Sequence, residues 1–310
     1  MNNVQEKIQY RDPYDEKVIR ERIRRRKEAE RKRRKRQKQM LLACVFLIIV
    51  CIIAIAILSS TGKKTSTGNL TPDSIEEKSV YEKIEYCNAD YLERYEAYAH
   101  LNPDMAVEDV VWRVNANLDK PKYEYDILVS GYDIDMIVNK YYKVPDDYTP
   151  QDLALFENNY YLRKEAGEAY EKMRDDAAKQ NLKIYITSAY RSVEYQRGLY
   201  NRYLGRDPQE AVDRYSARPG HSEHHLGLAI DIGAPGGSQR DFVNTPEYEW
   251  VKENCHKYGF IIRYLEETEE ITGYEFEPWH LRYVGIDIST DMRNKGINNF
   301  EEYHVKYLEN

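Results

Sequence analysis

The longest uninterrupted apolar run in the chain is Leu41–Leu58, LLACVFLIIVCIIAIAIL, eighteen residues without a charge. A helix of that length spans roughly 27 Å, close to the hydrocarbon thickness of a bilayer. A helix on the surface of a globular domain would carry a polar stripe, and this run has none. It predicts one transmembrane helix within 40–60. The following stretch, 61–79, is rich in Ser, Thr and Gly and predicts a flexible stalk.

From about Val80 the pattern becomes globular. Helices are expected over Asn88–Ala99 and Glu108–Asn117, and a strand or two within Asp126–Asn139. Residues 151–180 look helical throughout, with Ala166, Tyr170, Met173 and Ala177 recurring on one face. Lys183–Thr187 alternates as a strand does, and a helix follows over Val193–Leu204. Gly227–Ile232 (GLAIDI) reads as a buried strand and Thr245–Tyr258 as a helix closed by Gly259. Phe260–Tyr264 and Trp279–Val284 are further strands. Helices first, with strands interleaved later, predict an α+β architecture.

Charge divides the chain at the apolar run. Residues 1–39 hold 16 Lys and Arg against 7 Asp and Glu, so this tail carries +9 within a chain of net −7. Residues 40–310 therefore carry −16. A basic segment next to an apolar span places the N-terminus in the cytoplasm and the acidic body outside. A cleaved signal peptide would need a shorter basic region and an A-x-A-like site, so an uncleaved anchor is expected. Without interleaved aromatics, the basic run is a topology signal rather than a nucleic-acid site. Cys44 and Cys51 lie in the span. Cys87 and Cys255 could pair outside the cell, and the absence of a C-x-x-C motif argues against a thiolate metal site.

Three of the seven histidines crowd into HSEHHLGLAID, residues 221–231, and His280 lies in EPWHLRYVG, residues 277–285. His100, His256 and His304 stand alone in polar surroundings. Asp231 is the informative residue, because a carboxylate inside an apolar strand is costly unless paired or metal-bound. Glu277 and His280 are three apart with Pro278 between them, which argues for a turn entering a strand. Spacing alone leaves several ligand sets open.

The stretch Ser222–Asp231, SEHHLGLAID, resembles the S-x-H-x-x-G-x-A-x-D signature of the VanY-type zinc D-Ala-D-Ala carboxypeptidases, a family that includes LdcB-like L,D-carboxypeptidases. EPWH, Glu277–His280, is similar to that family's second signature, and SAYRSVEYQ, Ser188–Gln196, to its substrate-binding turn. The likeness extends over roughly residues 80–305, including NPDMAVEDVVWRVNANLD and LVSGYDIDMIVNKYY. It implies a hedgehog/D-Ala-D-Ala-peptidase-like domain with a central, mainly antiparallel sheet flanked by helices. The pre-catalytic segment would be 80–150 and the zinc carboxypeptidase domain 151–310.

The resemblance further implies Zn2+ held by His224, Asp231 and His280, with His221 and His225 left outside. Glu277 becomes the general base, Arg191 the partner of the developing oxyanion, and Gln196 and Ser222 the holders of the terminal D-Ala or its carboxylate. The implied reaction is metal-assisted removal of the C-terminal D-Ala from a peptidoglycan stem peptide, at the outer face of the cell membrane of a Gram-positive bacterium. L,D-carboxypeptidase action on tetrapeptide stems is the nearest alternative. A non-catalytic wall-binding ectodomain with a structural zinc is a third reading, which would leave Glu277 and Arg191 without a purpose.

Overall fold

The computed structural model of the protein describes residues 79–309, apart from Tyr125, Ser130 and Asn158. The basic tail, the apolar run 41–58 and all of the stalk but Ser79 lie outside the described residues. Among those described, no helix is long and apolar enough to cross a membrane. The described residues fall within one unit, Lys78–Asn310.

Helices α1 (Leu92–Leu101) and α2 (Val107–Asn115) form where the apolar spacing places them, and bury Tyr95, Val110, Val111 and Val114 between them. Strands β1 (Ile127–Leu128) and β2 (Tyr142–Lys143) pair in parallel. The rest of 126–139 is not the second strand the sequence suggests. Its carbonyls go to buried side chains instead of a sheet, as shown below.

The helical reading of 151–180 holds only for its later part. Strands β3 (Leu153–Phe156) and β4 (Tyr160–Arg163) form an antiparallel hairpin before α3 (Lys164–Ala178) begins. The turn is fixed by Glu157, which adopts a left-handed φ of 46°. Its carboxylate accepts from the Tyr170 hydroxyl at 2.6 Å and from the Ile186 N–H at 3.1 Å. Long-range partners thus override a local helical pattern.

The remaining elements are β5 (Tyr185–Ser188), α4 (Val193–Leu204), α5 (Gln209–Tyr215), a 3-10 turn at Glu223–Leu226, β6 (Ala229–Gly233), α6 (Pro246–Asn254), β7 (Phe260–Tyr264), α7 (Glu269–Thr272), β8 (Glu277–Tyr283), α8 (Ile286–Lys295) and α9 (Phe300–Tyr307). Strands β5, β6, β8 and β7 make one sheet in that order, antiparallel throughout. Ile186, Ile230, Ile232 and Leu281 join Tyr170, Met173 and Ala177 of α3 in the main core. Because side chains alternate along a strand, burying Ile230 and Ile232 in that core turns Asp231 to the opposite face. Cys87 and Cys255 are free thiols. Cys87 lies against the α1–α2 cluster and Cys255 is buried in the main core, so the disulfide left open by the sequence does not form.

The hairpin seats Phe156 directly over Gly167 of α3, where a Cβ would come within 2.0 Å of the ring. Gly167→Ala should therefore destabilise the fold by about 1–3 kcal/mol, despite the better helix propensity of alanine. Urea unfolding checks this; an unchanged or higher midpoint would contradict the packing.

Candidate metal centre

Sheet register brings the first two site residues together. Asp231 of β6 lies directly opposite His280 of β8, and Ser188 of β5 flanks Asp231 on its other side. Glu277 and His280 would face opposite sides of a regular strand. Here the β7–β8 ladder steps from Ile262↔Leu281 to Tyr264↔Glu277, so β8 carries extra residues against its partner. Such an irregularity re-aims side chains, and it turns Glu277 into the same cavity as His280.

The third residue comes from the 3-10 turn Glu223–Leu226. With three residues per turn, successive side chains point about 120° apart. Glu223, His224 and His225 therefore leave the turn in three directions, and only one of the adjacent imidazoles faces Asp231. Gly227 ends the turn at φ 66°, and a Cβ there would meet Leu153 at 2.8 Å. Only glycine satisfies both conditions.

The hydrogen bonds assign the histidine tautomers. His224 Nδ1 donates to the Ala189 carbonyl at 2.7 Å, leaving the buried Nε2 without a hydrogen-bond partner, 3.4 Å from Asp231 Oδ1. His280 Nε2 lies 3.2 Å from a Glu223 carboxylate oxygen, and its Nδ1 lies 3.1 Å from the same Asp231 Oδ1. One donor atom from each of His224, Asp231 and His280 lies within 4.8 Å of the others. Two imidazoles and a carboxylate converging on one buried point are what a cation satisfies.

His225 and His221 are both spoken for. His225 donates from Nδ1 to the Arg191 carbonyl at 2.7 Å and accepts the Gly220 N–H at Nε2, 3.2 Å away. His221 has Nδ1 2.8 Å from the Asn139 carbonyl and Nε2 3.2 Å from Asp126. The histidine nearest in sequence to His224 is thus part of the frame that holds the Arg191 backbone.

Glu223 is the site residue that sequence reasoning missed. It is completely buried, and one of its oxygens accepts from Arg263 Nε at 2.8 Å and Arg282 Nη1 at 3.1 Å. Arg263 also makes a two-pronged contact with Glu301 at 2.6 and 3.0 Å, and Glu301 accepts from Asn139 at 3.1 Å. Arg282 donates to the carbonyls of Ile134 and Met136, each at 2.8 Å. An acid in an otherwise polar motif gives no signal of its own. The two arginines in the apolar strands β7 and β8 were the legible hint.

A cavity of about 230 Å³ opens beside the metal donors and is lined by Glu277, Arg191, Gln196 and Ser222, with Tyr264 and Trp279 among its walls. Glu277 Oε2 is 3.8 Å from His280 Nδ1. Burial pushes the Glu277 carboxyl up to about 8, with His280 opposing and Asp231 reinforcing the rise. Arg191 has a buried Nε without a partner. The Gln196 side chain donates its amide to the Ala217 carbonyl at 2.8 Å and to Ser216 Oγ at 3.3 Å, leaving a buried, unpartnered oxygen. That free atom is an acceptor. It suits an N–H of a ligand rather than the carboxylate allowed by the sequence reading.

An open His–Asp–His donor set with a partly buried carboxylate beside it defines a metallopeptidase-type centre. Residues 159–286 match the family model for VanY, D-alanyl-D-alanine carboxypeptidase. The D-alanyl-D-alanine carboxypeptidase of Enterococcus faecium is 32% identical over 234 residues, covering 73% of this chain and 71% of that protein. YodJ of Bacillus subtilis (strain 168) is 37% identical over 182 residues, covering 55% of this chain and 66% of YodJ. Among solved structures, the LdcB LD-carboxypeptidase matches with a TM-score of 0.51 and 36% identity, over 55% of this chain and 84% of that one. The chain belongs to the VanY family of D-alanyl-D-alanine carboxypeptidases.

Burial pushes His224 down to about 4 and His225 to about 3. Burial also acts to lower His280, yet its hydrogen bonds to Asp231 and Glu223 outweigh it and raise the ring to about 9. In the metal-stripped protein, His224 and His225 stay neutral in the fold while the unfolded chain takes up protons near 6.5. Their stability contribution is present above 6.5 and is lost as pH falls toward 4. His280 opposes this only weakly, because its contribution is already close to complete below about 6.5. Glu277, held at about 8 in the fold, carries a proton that the unfolded chain lacks over the same range and offsets most of this loss. The effect is therefore read in Glu277→Gln, whose metal-stripped form should lose on the order of 3 kcal/mol on urea unfolding between pH 7 and pH 5. A midpoint that holds or rises would contradict the assigned tautomers.

Proposed function

We propose that this protein is a membrane-anchored zinc D,D-carboxypeptidase that removes the C-terminal D-Ala from peptidoglycan stem peptides outside the cell. The observation that carries the reading is the convergence of His224 Nε2, Asp231 Oδ1 and His280 Nδ1 beside the partly buried Glu277. Nitrogen and oxygen donors of this kind suit zinc, and three protein ligands leave a position open, as catalytic rather than structural sites do. Family membership supports the choice of scissile bond. The uncharged run 41–58 behind a tail of +9 supports an anchor with the N-terminus in the cytoplasm.

When bound, zinc supplies Lewis acidity and lowers the pKa of water to ~7. Beside a bound cation the Glu277 carboxyl would be ionised despite its burial, and it takes the proton of the attacking water as the new C–O bond forms. Burial, which favours the neutral carboxyl, lets it keep that proton until the C–N bond breaks. It then delivers the proton to the leaving amine of D-Ala. Arg191 brings a fixed positive charge to the oxygen on which negative charge develops. Gln196 Oε1 accepts a peptide N–H and sets the direction in which the substrate lies, and Ser222 lines the wall next to it.

L,D-carboxypeptidase action on tetrapeptide stems is the second reading, supported by the likeness to LdcB. The two are separated by incubating the full chain with penta- and tetrapeptide stems and identifying the released amino acid and the shortened peptide by mass spectrometry. Pentapeptide trimming is expected; trimming of tetrapeptide alone would favour the second reading. Glu277→Gln should retain bound zinc while lowering D-Ala release by about 10²–10⁴-fold. Turnover undiminished in that variant would remove Glu277 from the reaction.

A further inference from the structure

Glu223 sits between two residues with assigned roles, and neither the resemblance nor the reaction above gives it one. The geometry points to Glu223 as a positioning residue that holds His280 in the one tautomer able to bind the metal. The inference rests on the metal-centre reading proposed above. A neutral imidazole carries one proton, which can sit on either nitrogen. A carboxylate can only accept, so Glu223 Oε2, 3.2 Å from His280 Nε2, places the proton there. The lone pair is then on Nδ1, the nitrogen that faces Asp231 Oδ1 at 3.1 Å.

The second oxygen of Glu223 is fixed independently by Arg263 and Arg282, at 2.8 and 3.1 Å. With Glu301 on the far side of Arg263, two arginines balance two glutamates in a cluster whose side chains are 0–1% exposed. The two histidines of the centre are therefore backed differently. His224 is held by a neutral carbonyl, that of Ala189, and His280 by an anion. An anionic hydrogen-bond acceptor makes the opposite ring nitrogen a stronger donor to a metal as well as orienting the ring.

The test compares zinc affinity, measured by chelator competition on the full chain, in the wild type, Glu223→Gln and Glu301→Gln. The single oxygen of a glutamine cannot serve both arginines and the imidazole, so Glu223→Gln should weaken zinc binding by about 10–100-fold. Glu301→Gln removes a carboxylate from the same Arg263 without touching His280, and should stay near wild type in affinity while losing thermal stability. Equal losses of affinity in both variants would reduce Glu223 to general scaffolding and overturn the inference. If Glu223→Gln does not fold, the double variant Glu223→Gln/Arg282→Met keeps the buried cluster neutral and carries the same expected loss. Tight wild-type binding with unchanged binding by the Glu223 variants would overturn this inference alone. Failure of the wild type to bind zinc would overturn the metal-centre reading and this inference with it.

Discussion

The hydrogen-bonded register between β6 and β8 sets Asp231 opposite His280, and most of the site follows from it. Side chains alternate along a strand, so a slip of one residue would bury Asp231 among Tyr170, Met173 and Ala177 and expose Ile230 to the cavity. The large cost of burying an unpaired carboxylate opposes that slip as firmly as the isoleucines do. One register thus satisfies the core and assembles the donors at once. His224 is brought to the same point from outside the sheet by a turn that only Gly227 can close.

A second constraint is electrostatic. Arg263, Arg282, Glu223 and Glu301 are all buried, and charges at that depth are tolerated only when paired and fully hydrogen-bonded. The pairing is completed by the segment before the hairpin. Ile134 and Met136 give their carbonyls to Arg282, Asn139 gives its side chain to Glu301, and its carbonyl meets His221. The irregular backbone of this stretch is the consequence, since carbonyls committed to arginine cannot also build a ladder. Removing one arm of such a cluster leaves a buried charge uncompensated, so the segment and the centre are energetically a single object.

The legibility of the sequence tracks how local each determinant is. Helix α4 and strand β7 fall where the pattern places them, because their periodicity and their buried faces agree. Asp231 stood out for the same reason that it works, as a polar residue in an apolar strand. His224 could not be separated from His225 by spacing; the family signature selected it, and the 3-10 turn supplies the physical reason. The β3–β4 hairpin escaped because its turn depends on Glu157 reaching Tyr170 and Ile186, partners that no local window contains. Helix α9 was missed although Asn299 caps it through the Glu302 N–H at 2.8 Å, an Asn-x-x-Glu start that can be read directly. Glu223 carries no local signal, because its meaning lies in two arginines roughly 40 and 60 positions away.

The account stands on His224, Asp231 and His280 jointly holding one zinc ion. X-ray absorption at the zinc edge of the purified, zinc-loaded protein reads that coordination directly. Two imidazole nitrogens with the remaining ligands all oxygen is the result expected, and removal of Asp231 should change the oxygen shell and sharply reduce bound metal. A shell with sulfur, or with three imidazoles, would contradict the centre described here.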